Sequence, residues 1–226
     1  TYNPVPYFTN HNDTVAELKK SLDEFGMVAV SGVKGSGKTE LVKKYIYNYH
    51  NNYKIIAIFD SKVDLIPQLV NFANSINETL PEAEHISLDY NNIQSNLINY
   101  LRYKEKWLLI FDNLLTNKDI QNFLSLKGKG HIMVVSLNSN ILKSKVVVNN
   151  LSEIYIKELL AKLLKEPELI EELTKVAVEQ GYPTALIVDS AVFLMNHPHY
   201  SVKEYTEKVS ENNEVIRNYL NLVFNE

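Results

Sequence analysis

The sequence predicts an α/β protein: a doubly wound parallel sheet of about five strands in residues 1–150, followed by a small all-helical domain in residues 151–226. Three observations carry this expectation. Near-continuous apolar runs, such as residues 54–59 and 107–111, suit strands covered on both faces, as in parallel sheets. Up to about residue 150 such runs alternate with stretches of helical spacing. From Leu151 onward no further strand-like run occurs.

The elements follow in order. Residues 1–10 hold two prolines and no periodicity, so they form an extended arm. Residues 14–25 put Val15, Leu18, Leu22 and Phe25 on one helical face, and residues 27–31 are a short apolar strand. Residues 40–46 have helical spacing, and Asn51-Asn52 turns the chain into the strand at 54–59. Ser61-Lys62-Val63-Asp64 has capping-box spacing ahead of a helix carrying Leu65, Leu69, Phe72, Ala73 and Ile76. After a polar loop, Ile93, Leu97, Ile98 and Leu101 mark another amphipathic helix, and residues 107–111 a buried strand ending at Asp112. Thr116-Asn117-Lys118-Asp119 caps a short helix, Gly128-Lys129-Gly130 turns into a strand at 131–136, and Val146-Val147-Val148 is one more. Beyond that, residues 154–164, 167–180, 183–195 and 201–209 read as helices. Pro167 suits a first turn, Gly181 a helix end, and Ser201-Val202-Lys203-Glu204 a capping box.

Composition narrows the function classes. With 45% hydrophobic and 22% charged residues in 226, the chain is globular. A net charge of −4 and the lack of a lysine-arginine run give no basis for sequence-independent nucleic-acid binding. The absence of cysteine excludes disulfides and thiol catalysis and fits a cytoplasmic setting. The longest apolar stretch, 185–195, is interrupted by Asp189 and too short to span a membrane. The chain begins without methionine and is expected to be a piece of a longer protein.

Between the first strand and the next helix lies Gly32-Val33-Lys34-Gly35-Ser36-Gly37-Lys38-Thr39, which fits the phosphate-loop pattern without mismatch. Glycines let backbone N–H groups of Gly35, Ser36 and Gly37 curl around phosphate oxygens, and the following helix, opened by Lys38, Thr39 and Glu40, adds its dipole. Lys38 would reach the β- and γ-phosphates and the Thr39 hydroxyl would ligate Mg²⁺. Lys34 reads as a solvated loop charge. Asp112, about 75 residues after the loop, would hold the Mg²⁺ through water beside Thr39.

Asn113 stands where many such ATPases carry a second carboxylate; it can orient water but cannot accept its proton, so slow turnover is expected unless another group supplies the base. Ser136 and Asn138 are either sensors of the γ-phosphate or a polar turn. Arg102 and Arg217 are the only arginines and neither is near a motif, which argues against a transition-state arginine within the chain. His197-Pro198-His199 reads as a turn, and the remaining histidines are scattered.

Taken together these segments resemble the NB-ARC ATPases of the STAND class, above all bacterial proteins that join this module to tetratricopeptide repeats. Tyr7-Phe8-Thr9-Asn10-His11-Asn12 stands in place of the arm that holds adenine, which implicates Phe8 and Thr9. Residues 130–138 resemble the strand ending Thr-Ser-Arg-Asn, and Gly181-Tyr182-Pro183-Thr184-Ala185-Leu186 resembles Gly-Leu-Pro-Leu-Ala-Leu, in which Pro183 would pack on the base. His11 and Leu137 depart from the pattern, each where an arginine is usual. The resemblance implies a nucleotide switch that binds ATP or ADP with Mg²⁺ and hydrolyses slowly. It also implies winged-helix and repeat domains beyond residue 226, through which protein partners or self-assembly would act. Two other readings compete: a non-hydrolysing module in which the nucleotide is a structural clamp, and an AAA-type DNA-associated ATPase.

Overall fold

Residues 3–9, 12–126 and 129–210 are described in the structure, a computed structural model. By contact the chain falls into two units. One comprises Thr1–Pro4, His11–Gly32 and Lys38–Val148; the other comprises Val5–Asn10, Val33–Gly37 and Asn149–Glu226.

The first unit runs α1 (Asn12–Phe25), β1 (Met27–Ser31), α2 (Lys38–Tyr49), β2 (Ile55–Asp60), α3 (Leu65–Asn77), α4 (Ile93–Arg102), β3 (Trp107–Asp112), β4 (His131–Ser136) and β5 (Lys145–Val147). The five strands are parallel, in the order β2-β3-β4-β1-β5. Successive side chains of a strand point to opposite faces, and in β3 and β4 both faces are buried. Trp107, Leu109 and Phe111 join Phe59, Ile132, Val134 and α3–α4 residues such as Leu69 and Leu97 in one core. The intervening Leu108, Ile110 and Met133 are fully buried too. α1 meets α2, β1 and β5, burying Leu18, Leu22 and Leu41. Such double coverage is why these strands read as unbroken apolar runs.

Local chemistry departs from expectation at two helix starts. Ser61 does not cap α3: Asp64 does, its carboxylate accepting from the Ile66 N–H at 3.0 Å. Asp60 takes the Lys62 N–H instead at 3.0 Å, so the chain turns once more before the helix begins. Lys118–Ile120 is a single 3₁₀ turn whose preceding residue is Asn117, with no side-chain cap from Thr116 or Asn117. Gly128 of the expected turn lies outside the described residues, but Gly130 has a clear steric reason. A Cβ there would sit 2.0 Å from the ring of Trp107, which is buried and donates from Nε1 to the Leu101 carbonyl.

The second unit contains α5 (Glu153–Leu163), α6 (Pro167–Glu179), α7 (Thr184–Asn196) and α8 (Val202–Ser210). Leu159, Leu160, Leu173, Ile187, Ala191, Phe193 and Tyr205 form its core, and Tyr7 of the N-terminal arm packs against it. α6 ends as its glycine predicts: Gly181 adopts φ +64°. The Tyr182 N–H then reaches the Ala177 carbonyl and the Gly181 N–H that of Val178, the paired bonds of a Schellman end. α8 opens on a reciprocal capping box, Ser201 N–H to Glu204 at 2.9 Å and Glu204 N–H to Ser201 Oγ at 3.2 Å. Asn10, His11 and Arg217 lie outside the described residues.

Candidate functional site

β1 lies between β4 and β5, and β3 lies beside β4. The loop after β1 and the end of β3 therefore emerge at the carboxyl edge of the sheet, where open α/β folds bind ligands. Gly35 and Gly37 adopt φ of +79° and +93°, a region that L side chains enter only under strain. At Gly37 a Cβ would meet nothing within 4 Å, so the conformation, not crowding, calls for glycine there. Ser36 is fully buried, and its hydroxyl finds no partner among the described residues. An orphaned hydroxyl and two left-handed glycines in one loop fit a phosphate group, which accepts hydrogen bonds.

Lys38, the first residue of α2, donates from Nζ to the Gly32 carbonyl at 3.0 Å. Desolvation pulls its pKa below the ordinary value, while the charge of Asp112 opposes that shift. An anion in the loop would favour the ammonium form. One residue on, Thr39 Oγ1 donates to Asp112 Oδ2 at 3.1 Å. Asp112 itself is pushed up, mainly by desolvation, against the lowering effect of the Asn113 N–H and the Thr39 hydroxyl; the Asp60 charge adds to the rise. Thr39 and Asp112 are thus a hydroxyl and a carboxylate in contact. Mg²⁺ is commonly held by one or two carboxylates together with substrate phosphates, which this pair fits. Among the described residues no group of three or more His, Cys, Asp or Glu could hold a metal by itself.

Asn113 takes a left-handed conformation, φ +59°. Its amide Nδ2 donates to Asp60 Oδ1 at 2.9 Å, and its N–H donates to Asp112 Oδ1 at 2.8 Å. Asp60 was not among the sequence candidates. Its signal was there to be found: β2 ends Ile58-Phe59-Asp60 as β3 ends Ile110-Phe111-Asp112. Ser136 is buried, donating to the Leu114 carbonyl and accepting from the Asn138 N–H at 3.0 Å. Leu137 is 58% exposed. Glu40 is paired with Lys43 at 2.7 Å.

The other candidates lie in the second unit. Pro183 precedes α7 as its N-cap, and its ring would touch a Cβ on Gly35 at 3.6 Å. The Ala185 N–H donates to the Gly35 carbonyl at 2.9 Å, and Thr184 Oγ1 reaches the Ser36 carbonyl at 3.4 Å. In the arm, Thr9 is buried, and the Phe8 carbonyl accepts from Lys162 Nζ at 3.1 Å.

A phosphate loop between a parallel strand and a helix, with a carboxylate against its threonine, defines a nucleotide-binding P-loop module. The family model for the NB-ARC domain matches residues 10–174, and the chain belongs to that family. Solved structures agree on the fold. A Walker-type ATPase of Pyrococcus abyssi superposes with a TM-score of 0.61 at 14% identity, over 96% of this chain and 76% of that one. Cdc6p from Pyrobaculum aerophilum gives 0.63 at 14%, over 86% and 65%. AMPPCP-bound DnaA from Aquifex aeolicus gives 0.56 at 13%, over 90% and 68%. At such identities the likeness concerns the fold alone. No curated protein matches the chain. No helix among the described residues is long and apolar enough to cross a membrane.

Proposed function

We propose that the chain is the ATP/ADP-binding switch of a STAND-type signalling protein of the cytoplasm, with slow or partner-dependent hydrolysis. The observation that supports this best is the bond from the Ala185 N–H to the Gly35 carbonyl. It ties the phosphate loop's tip to the first turn of α7, so a phosphate that reshapes the loop acts directly on that helix. A ligand moves such an equilibrium only by its differential affinity for the two states.

Lys38 and the loop amides would hold the phosphates, and Thr39 with Asp112 would hold Mg²⁺, which when bound neutralises phosphate charge. Phe8, Thr9 and Pro183 would take the base. Asn113, lacking a carboxylate, would not itself accept the proton of the attacking water. Winged-helix and repeat domains of a longer chain, and the protein partners they recruit, belong to the same proposal. Amide exchange of α7 measured with ADP and with Mg-ATP, alongside phosphate release, tests the switch. A difference in α7 protection between the two nucleotides, with slow release, is expected. Identical protection and no release would leave a nucleotide that serves only as a clamp.

A further inference from the structure

We propose that Asp60 supplies the carboxylate that takes the proton from the attacking water, a role the residue after Asp112 cannot fill in this chain. This rests on the reading of the site as one that hydrolyses ATP. β2 and β3 pair in parallel from Ile55 opposite Trp107 through Asp60 opposite Asp112. The register sets two carboxylates side by side at the edge of the sheet where ligands of this fold bind.

They are engaged differently. Asp112 turns Oδ2 to the Thr39 hydroxyl and Oδ1 to the Asn113 N–H, so both its oxygens are engaged. Asp60 is held by the Asn113 amide at 2.9 Å and the Lys62 N–H at 3.0 Å. Both bonds end on Oδ1, and Oδ2 takes none among the described residues. The backbone beneath is fixed as well: Gln68 accepts from the Asp60 N–H at 2.8 Å and donates to the Asp60 carbonyl at 2.9 Å. A carboxylate whose peptide and one oxygen are fixed, with the other oxygen uncommitted, is arranged as a general base is.

Asn113 acts through it. Asparagine enters the left-handed region more readily than most residues, and its φ of +59° accompanies the reach of the amide to the neighbouring strand. The residue that takes the place of a base in the motif therefore orients another. In the step itself, the water oxygen bonds to the γ-phosphorus and the bond from that phosphorus to the β,γ-bridging oxygen breaks, its electron pair leaving on ADP. The water proton passes to Asp60 Oδ2 and then to solvent.

The test compares wild type, Asp60→Asn and Asn113→Gly by ADP affinity, by the tightening of ADP binding when aluminium fluoride and Mg²⁺ are added, and by single-turnover hydrolysis of Mg-ATP. Asp60→Asn keeps an oxygen for the Asn113 and Lys62 donors, and Asn113→Gly keeps the left-handed backbone. Both should bind ADP within about twofold of wild type, because Asp60 has no part in holding ADP. Asp60→Asn should slow hydrolysis about 100-fold or more and lose the fluoride-induced tightening; Asn113→Gly should lose part of each. Wild-type hydrolysis and tightening in a folded Asp60→Asn protein would overturn the assignment. A wild type that binds ADP but neither hydrolyses ATP nor responds to fluoride would overturn it too, leaving nucleotide binding intact. A wild type that binds no nucleotide would instead remove the reading on which it rests.

Discussion

The backbone N–H of Ala185, in the first turn of α7, donates to the carbonyl of Gly35 in the phosphate loop at 2.9 Å. The first N–H groups of a helix have no partner within it, and α7 gives one of them to the loop. The fit is close: a Cβ on Gly35 would lie 3.1 Å from that of Ala185 and 3.6 Å from that of Pro183. Gly35→Ala should therefore combine strain at φ +79°, about 1–2 kcal/mol, with displacement of the loop from α7. The expected outcome is weaker binding of ADP and ATP together with a lower melting temperature. Calorimetric titration and thermal melting would show this; unchanged affinity for both nucleotides would mean that the loop does not depend on the contact.

Thr39 and Asp112 touch at 3.1 Å. If they hold Mg²⁺, Asp112→Asn should abolish most of the difference between nucleotide affinities measured with Mg²⁺ and with a chelator. Binding without the ion should stay near wild type. An undiminished Mg²⁺ effect in this variant would place the ion elsewhere.

Asp189 lies buried in α7, with Oδ2 unpartnered among the described residues. Desolvation raises its pKa from 3.8 to about 6. The folded state then binds this proton more readily than the unfolded chain, so the contribution is fully present below the unfolded pKa. It is lost as pH rises from about 4 to about 6. Asp189→Asn cannot ionise, and should be more stable than wild type at pH 7 by about 1–2 kcal/mol, allowing for partial solvation. The gain should vanish near pH 4 in urea titrations at the two pH values; a variant equally or less stable at pH 7 would contradict the burial of a charge there.

Gly130 abuts Trp107 so closely that a methyl group would overlap the ring, with approaches of 2.0, 2.3 and 2.5 Å. The indole cannot move without breaking its bond to Leu101, 3.1 Å long. Gly130→Ala should cost about 1–3 kcal/mol, read from denaturant midpoints. It should leave nucleotide affinity unchanged in the fraction that folds.

The phosphate loop, the apolar strands and the helical character of the C-terminal part were legible because each is written in contiguous residues: a glycine spacing, an unbroken apolar run, a helical period. Gly181 and the Ser201–Glu204 box were legible for the same reason. Asp60 ends its strand as Asp112 does, but only the strand register sets the two side by side. Asn113 looked like a missing carboxylate; its left-handed φ and its bond to Asp60 are tertiary facts. Ser136 carried a polar side chain at the right strand end, yet its hydroxyl is engaged with Leu114 and Asn138. Asp64, not Ser61, caps α3, since the chain spends an extra turn after β2 where Asp60 binds the Lys62 N–H.

The most direct measurement is nucleotide binding by wild type and Lys38→Ala, with melting curves to establish that both are folded. Lys38 contacts the Gly32 carbonyl and belongs to no apolar core, so its loss should leave the fold intact. Wild type should bind ADP and ATP, or release bound nucleotide on denaturation, while folded Lys38→Ala should retain neither. Tight nucleotide binding by the folded variant would contradict the placement of the phosphate site in this loop.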